Sequence, residues 1–595
     1  MQDLNLGVIG NSAFAAVIDR WARIVWACYP RLDGDPVFCS LVNGADAGFF
    51  AVDVQGAARS EQAYDRNTAV LATMIEDAHG NRMHVTDFSP RFKQFDRIFR
   101  PPMVVRVLEP VLGACRVRLR LRPVFEDGAV RATVTLGSNH LRYVGPRQAL
   151  RLTTEVPVSY IAEERPFVLD RRLSLILGPD ETLFRPIAET VAQFLEQTRD
   201  YWREWVRYLS VPFEWQEAVI RAAITLKLCS FEETGAIVAA LTTSIPEAPG
   251  SGRNWDYRYC WLRDAYFVVQ ALNRLGATRT MEDFIRFVTN VADVEPGERL
   301  RPVYPIVPGA RLPEREAAAL AGYRGMGPVR LGNAAEDQVQ NDSYGNVVLA
   351  AAQMFFDRRL PRQGDAALFT RLETLGERAV ACALEPDAGL WEYRTRCRAH
   401  THSAVMCWAA CDRLAKIAEV LGLPERATRW RAEASRLHET ISARAWDPTE
   451  RSFVDGLDGG HVDASVLLLP EIGFIAPTDP RFIASVDAVT RHLRRGDHLL
   501  RYAAADDFGV PETSFIVCTL WYVDALAAIG RRGEARAIFE GVLAGRNHLG
   551  LMSEDIAPES GELWGNFPQS YILVGLINSA MRVSRSWEEA FWRGW

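Results

Sequence analysis

No stretch of the 595-residue chain approaches the roughly 18 consecutive apolar residues that a membrane-spanning helix requires. A basic excess is missing as well. Lys and Arg number 68 against 75 Asp and Glu, a formal charge of −7, which argues against nucleic acid or an anionic membrane as partner. The 10 cysteines include no Cys-x-x-Cys pair, and the closest, Cys407 and Cys411, lie one helical turn apart in an apolar run. Such thiols are expected to be buried in a reducing compartment, and no His/Cys cluster has zinc-ligand spacing. The chain opens Met1-Gln2-Asp3-Leu4, with neither a basic segment nor a long apolar run, so a cytoplasmic location is expected. The glycine-rich piece from Gly456 to Gly460 lacks the strand and lysine of a phosphate loop and is expected to be a turn. What remains is an ordinary globular composition, 48% hydrophobic and 24% charged, with enough apolar residues for two or more large cores.

Up to about residue 180 the pattern is β. Apolar and basic residues alternate strictly from Cys115 to Arg122, which predicts a strand with one buried and one wet face, the arginines being solvated. Thr68–Ile75 and Arg82–Phe88 flank the turn signal His79-Gly80-Asn81 and predict a hairpin. Many short strands with turn signals argue for an antiparallel sandwich over residues 1–186. Residues 187–210 read as a connecting helix. From 211 to 595 segments apolar on nearly every side (344–356, 403–420, 513–529, 567–580) alternate with amphipathic ones such as 427–441 and 531–544. A helix apolar all round must be buried, whereas an amphipathic one shows a face to water. About twelve candidate helices in two layers predict an α/α toroid of six pairs. Three long loops, 243–261, 295–337 and 548–566, and a shorter one after 385 are rich in polar and aromatic residues and are expected to line its mouth.

Within the first of these loops, and running into a predicted helix, Asn254-Trp255-Asp256-Tyr257-Arg258-Tyr259-Cys260-Trp261-Leu262-Arg263-Asp264-Ala265 crowds rings and charges together. Rings with planar charged groups suit a sugar, which offers apolar C–H faces and a rim of hydroxyls. The bland alternative is packing, with Arg258 paired to Asp256 and Arg263 to Asp264. Leu262, Ala265, Tyr266, Val269 and Leu272 then recur at helical spacing, which puts Arg263 and Asp264 at a helix entrance.

Two carboxylates stand out. Glu392 lies between Trp391 and Tyr393, whose rings would desolvate it and raise its pKa, as suits a general acid; a surface ion pair with Arg394 is the alternative. Glu554 lies in Gly550-Leu551-Met552-Ser553-Glu554-Asp555-Ile556, where a loop-bracing or capping role is equally open. A carboxylate pair makes a glycosidase only if both face one cavity. The Arg330–Ala335 segment with Gln338, Gln340 and Asp342 offers groups for sugar hydroxyls or for helix caps. His400 and His402 are expected to cap a helix or bond within the core.

At these residues the chain resembles the family 15 glycoside hydrolases, the group of glucoamylases, glucodextranases and bacterial or archaeal α,α-trehalases. The resemblance runs through Asn5–Asn11, Trp26–Asp33, Thr242–Glu247, the aromatic stretch, Arg330–Asn333, Gly389–Glu392, Asp463–Ser465, Asp506–Gly509 and Gly565–Gln569. It implies a sandwich, a linker helix and an (α/α)6 barrel, and inverting hydrolysis without a cofactor or metal. It implies Glu392 as general acid and Glu554 as general base, with Arg263 and Asp264 holding the terminal glucose and Trp255, Trp391 and Arg501 shaping the pocket. One departure stands out: Ile572-Leu573 replaces a Ser-His pair of many relatives, which could alter either the substrate or inner packing.

The expected activity is exo-acting release of β-glucose from an α-glucoside, with α,α-trehalose favoured over malto- or isomalto-oligosaccharides. A glycoside phosphorylase would not need the base carboxylate, so Glu554 speaks against it. A silent sugar-binding protein is the alternative from another class. A homo-oligomer is compatible with the sequence.

Overall fold

The computed structural model describes residues 2–44, 46–293 and 298–593. The first three positions of the expected loop 295–337 therefore lie outside the described residues. Two antiparallel sheets form the N-terminal part. One runs in the order Gly7–Gly10, Ala15–Ile18, Ile24–Tyr29, Phe49–Val54, Arg116–Arg122, Phe167–Val168, with Asp35–Phe38 also paired to Ile24–Tyr29. The other runs Thr133–Leu136, His140–Val144, Ala149–Thr154, Leu173–Gly178, Val104–Leu112, Arg82–Phe88, Leu71–Asp77, Ala57–Tyr64.

Residues of period two fill the space between them, with Leu71, Ile75, Met83, Val85 and Leu108 of one sheet meeting Ile9, Phe50, Val117 and Leu119 of the other. The hairpin turn is held by Asp77, whose carboxylate accepts the backbone N–H groups of His79 and Asn81. The arginine face of Arg116–Arg122 is tied to carboxylates, with Arg120 reaching Asp53 and Arg122 reaching Glu164 at 2.6 Å.

A wholly buried ion pair sits inside this domain. Arg106 donates to both oxygens of its cross-strand neighbour Asp87, at 2.7 and 3.1 Å, and to the carbonyls of Phe50 and Ala22. Both side chains are inaccessible to solvent. Removing one partner strands the other charge, so Asp87→Ala is expected to cost about 3–5 kcal/mol in denaturant unfolding. A loss below about 1 kcal/mol would show that the pair is not buried as described.

The helix Ile187–Arg207 joins the two parts. Val191 and Leu195 pack on Phe88 and Val105 of the sandwich, and Trp202 enters the core of the helical part. Six inner elements then close a ring: Ala265–Arg274, Asp342–Phe356, Thr401–Val420, a 3₁₀ turn Ala464–Leu468 that runs into the short helix Leu469–Ile472, Ile516–Ala528 and Ser570–Val583, which packs back on the first. Outside lie Gln216–Leu228, Thr278–Val291, Ala366–Cys382, Pro424–Arg444, Pro480–Leu493 and Arg532–Ala544.

The layers follow from side-chain pattern. Pro424–Arg444 buries only Ala427, Trp430, Ala434, Leu437 and Ile441, a stripe three to four residues apart, whereas Thr401–Val420 is buried around most of its surface. No described helix is long and apolar enough to cross a membrane. All ten cysteines are free thiols.

The sandwich and the barrel share packing. Trp26 donates its indole N–H to the Leu241 carbonyl at 2.7 Å, and Leu549 from a barrel loop enters the sandwich core.

Candidate active site

The aromatic stretch enters the barrel as extended backbone, bonded along residues 239–244 through Ser244 N–H to Trp255 O, Ala240 N–H to Tyr257 O and Ala239 N–H to Tyr259 O. Extended backbone sends successive side chains to opposite sides. Trp255 and Tyr257 therefore face a cavity at the mouth of the inner ring, while Asp256 and Arg258 face the sandwich.

On that hidden side Arg258 grips Asp256 with two bonds of 2.9 and 2.7 Å and donates to Gly34 O and Cys28 Sγ of the sandwich. Both ion pairs of the bland alternative exist, the second between Arg263 and Asp264 at 3.4 Å. They coexist with a ring-lined cavity and do not replace it.

Every residue to which the resemblance gives a role lines this one cavity: Trp255, Arg263, Asp264, Trp391, Glu392, Arg501 and Glu554; of the further polar groups, Asn333 and Gln338 line it, whereas Gln340 and Asp342 do not. Asp264, Trp521 and Tyr571 are among its buried walls, and the more accessible Trp255, Arg394, Asp507 and Phe508 form its rim. At the rim Asp507 accepts from the backbone N–H and hydroxyl of Thr395 and the N–H of Arg394, which ties two loops together.

Glu392 has a left-handed backbone, φ 58°, a conformation that costs a non-glycine residue roughly 1–2 kcal/mol. Gly389, three residues before it, must be glycine: φ is 69°, and an added Cβ would lie 2.6 Å from the His400 ring. The resulting turn aims the Glu392 carboxyl at the cavity. Its Oε1 accepts from Trp261 Nε1 at 2.6 Å, Arg263 Nη1 at 2.9 Å and Gln340 Nε2 at 3.2 Å.

The alternative, a surface pair with Arg394, does not form, because Arg394 is drawn to Glu314 by two bonds of 3.0 and 2.7 Å and lies over the Trp255 ring. Nor do the flanking rings turn onto the Glu392 carboxyl. Trp391 donates to Asp463 at 2.7 Å and packs on Tyr502, Phe515 and Trp521, and Tyr393 stacks on His400.

Glu554 is buried, and its Oε1 accepts the Tyr257 hydroxyl at 2.8 Å while Oε2 has no protein partner. Burial, and then the neighbouring charge of Glu247, push its pKa well above the ordinary range. Gly565 makes room for it, since a Cβ there would meet Glu554 Cβ at 2.6 Å. Loop bracing runs through the backbone, with Glu554 N–H bonded to Asn566 O, and the side chain is free for the cavity.

Arg501 pairs with Glu247, which also accepts Trp255 Nε1 at 2.9 Å. Asp264, at the entrance of Ala265–Arg274, is raised to about 6 chiefly by burial, against the pull of Arg263.

Sequence reasoning passed over Tyr257, Trp261 and Glu247 as functional residues. Tyr257 hydrogen-bonds Glu554, and its ring lies edge-on to Trp261 at 5.4 Å, whose indole bonds Glu392. The alternation of the stretch could have singled out Tyr257; its distant partner could not be read from spacing. His400, at the N-cap of Thr401–Val420, and His402, in its first turn, do not cap that helix: no cap bond forms, and both are held neutral by burial. Asn333 does cap, accepting from Ala335 N–H, and also lines the cavity. Ile572 and Leu573 are buried in the barrel core and are not among the residues that line the cavity.

An antiparallel sandwich joined to an (α/α)6 barrel, with carboxylates, arginines and aromatic rings around one mouth, defines a carbohydrate-active enzyme of the glycoside hydrolase class. Comparison with known proteins narrows this. The profile described as "Glycosyl hydrolases family 15" matches residues 215–581, and "Trehalase-like, N-terminal" matches residues 4–163. The chain belongs to glycoside hydrolase family 15.

It is 32% identical to a protein named "Trehalase" from Thermoplasma acidophilum, over 96% of this chain and 97% of that one. It is 31% identical to a "Trehalase" from Mycobacterium tuberculosis, over 96% of this chain and 88% of that one. Among solved structures, a bacterial glucoamylase complexed with acarbose has the same fold, with a TM-score of 0.69 at 13% identity, covering 98% of this chain and 94% of that one.

Proposed function

We propose that the protein hydrolyses α,α-trehalose with inversion, Glu392 acting as general acid and Glu554 as general base. The observation that carries this is that both carboxyls line one cavity and are reached by one stretch, Tyr257 holding Glu554 and Trp261 holding Glu392. Inversion needs room for one water between the two, roughly 6.5–9.5 Å.

Three donors occupy Glu392 Oε1, which leaves Oε2 to carry the proton to the glycosidic oxygen. As that C–O bond breaks, water attacks the anomeric carbon from the opposite face and gives its proton to Glu554 Oε2, the oxygen without a protein partner. Arg263 and Asp264 bind hydroxyls of the glucose whose bond is broken, and Trp255, Trp391 and Arg501 shape the walls. Relatives named as trehalases, and a rim drawn together by Asp507, favour a disaccharide over a long chain.

We place the boundaries of the sandwich at 1–186, of the linker at 187–210 and of the barrel at 211–595, in line with the ends of the last sandwich strand at Gly178 and of the linker helix at Arg207. Ten free thiols suit a reducing, cytoplasmic compartment.

Early proton NMR of the reaction tests both substrate and stereochemistry. Trehalose should give one β-glucose from the attacked ring and one α-glucose from the leaving ring before mutarotation. Two α-glucoses would mean retention, and glucose from maltose, isomaltose or dextrin but not trehalose would assign a glucoamylase-like substrate.

A further inference from the structure

Asp555 follows Glu554 in the chain and takes no part in the reaction as described. It is 2% exposed. Its Oδ1 lies 3.1 Å from Thr513 Oγ1, and the same Oγ1 lies 2.9 Å from the Glu247 carbonyl oxygen. Asp555 Oδ2 is buried without a partner. A hydroxyl owns one hydrogen, and a carbonyl oxygen only accepts. Both contacts are hydrogen bonds when Thr513 donates to Glu247 O and Asp555 supplies the hydrogen for the other.

An ionised Asp555 would instead compete for a hydrogen already spoken for, with its second oxygen bare in the interior. Arg501 and Arg253 lie near enough to pull its pKa down, but each is bonded to another carboxylate. The charged and titratable groups around it are Glu554, Glu247, Arg501, Arg253 and Cys518. Arg501 bonds Glu247, and Arg253 bonds Asp506 through both nitrogens at 2.6 Å.

We propose that Asp555 is a neutral carboxylic acid that donates to Thr513, a positioning residue that ties the strand of the base to the Glu247 loop and leaves the negative charge on Glu554. The inference rests on Glu554 being the base. Burial first, then the Glu247 charge, also push Asp555 up to about 8, in the same direction. The consequence is chemical. A second buried carboxylate beside Glu554 would favour a proton on Glu554, which could then accept none from water. A neutral neighbour keeps the base ready.

Infrared difference spectra of the full chain, wild type minus Asp555→Asn, at neutral pH and without substrate, test this directly. The wild type should show a protonated-carboxyl C=O band that shifts in D2O and is missing from Asp555→Asn; absence of that band overturns the proposal. The spectrum needs no turnover, so it stands apart from the substrate assignment, which fails separately if trehalose is not cleaved.

For the positioning role, Asp555→Val should lower kcat at least tenfold, and Asp555→Asn should recover most of that loss, because an amide N–H can donate to Thr513 as the acid does. Asp555→Asn no better than Asp555→Val overturns it. Should Asp555→Val fail to fold, the acid limb of kcat/KM in Asp555→Asn decides. A limb moved down by about one pH unit or more means that a charge was removed, against the proposal, and a smaller shift supports it.

Discussion

Replacing Glu392 by glutamine is expected to lower kcat on trehalose by about 10²–10⁴-fold, the range that a positioned general acid contributes. The substitution is close to isosteric. The amide oxygen can accept from Trp261, Arg263 and Gln340 as Oε1 does, so folding should survive and a melting curve should confirm it. What is lost is the proton for the leaving oxygen. The deficit should shrink for an aryl α-glucoside whose phenolate departs without protonation. An equal loss across leaving groups would assign Glu392 to binding instead.

Glu554→Gln is expected to cost a similar factor, about 10²–10⁴-fold, with the opposite signature. The amide still accepts from the Tyr257 hydroxyl but cannot take a proton from water. Good leaving groups should not rescue it, because activation of the nucleophile is what has gone. The pH sign is fixed by the environment. The base works ionised, and burial with nearby Glu247 raises its pKa, so the wild-type rate should fall as pH drops through a value above the ordinary carboxylate range. That acid limb should disappear in the variant. A limb that persists unchanged would belong to another group and would sink the assignment.

The barrel was legible where pattern alone dictates burial. Segments apolar on all sides became the inner helices 342–356, 401–420, 516–528 and 570–583, and the amphipathic ones became the outer shell. The inner element at 464–472 escaped because a 3₁₀ turn and a four-residue helix with Pro470 are too short to show a period.

In the cavity, the carboxylates and the Arg263-Asp264 pair could be picked out from local context and family resemblance. Their partners could not. Tyr257 and Glu554 are 297 positions apart, Trp261 and Glu392 are 131 apart, and the Glu314 that captures Arg394 lies 80 positions upstream. Neighbours in sequence, Trp391 and Tyr393, turned to other work because residues distant in the chain offered them better contacts.

Among the described residues the sandwich contributes no side chain to the wall of the cavity, yet Arg258 fastens the backbone between Trp255 and Trp261 to Cys28 and Gly34. Heat that loosens the sandwich therefore slackens the strand that aims Tyr257 and Trp261. Thermal inactivation should follow the less stable of the two domains, even when the barrel keeps its helices, and stabilising the sandwich would extend the working life of an active site that it never touches.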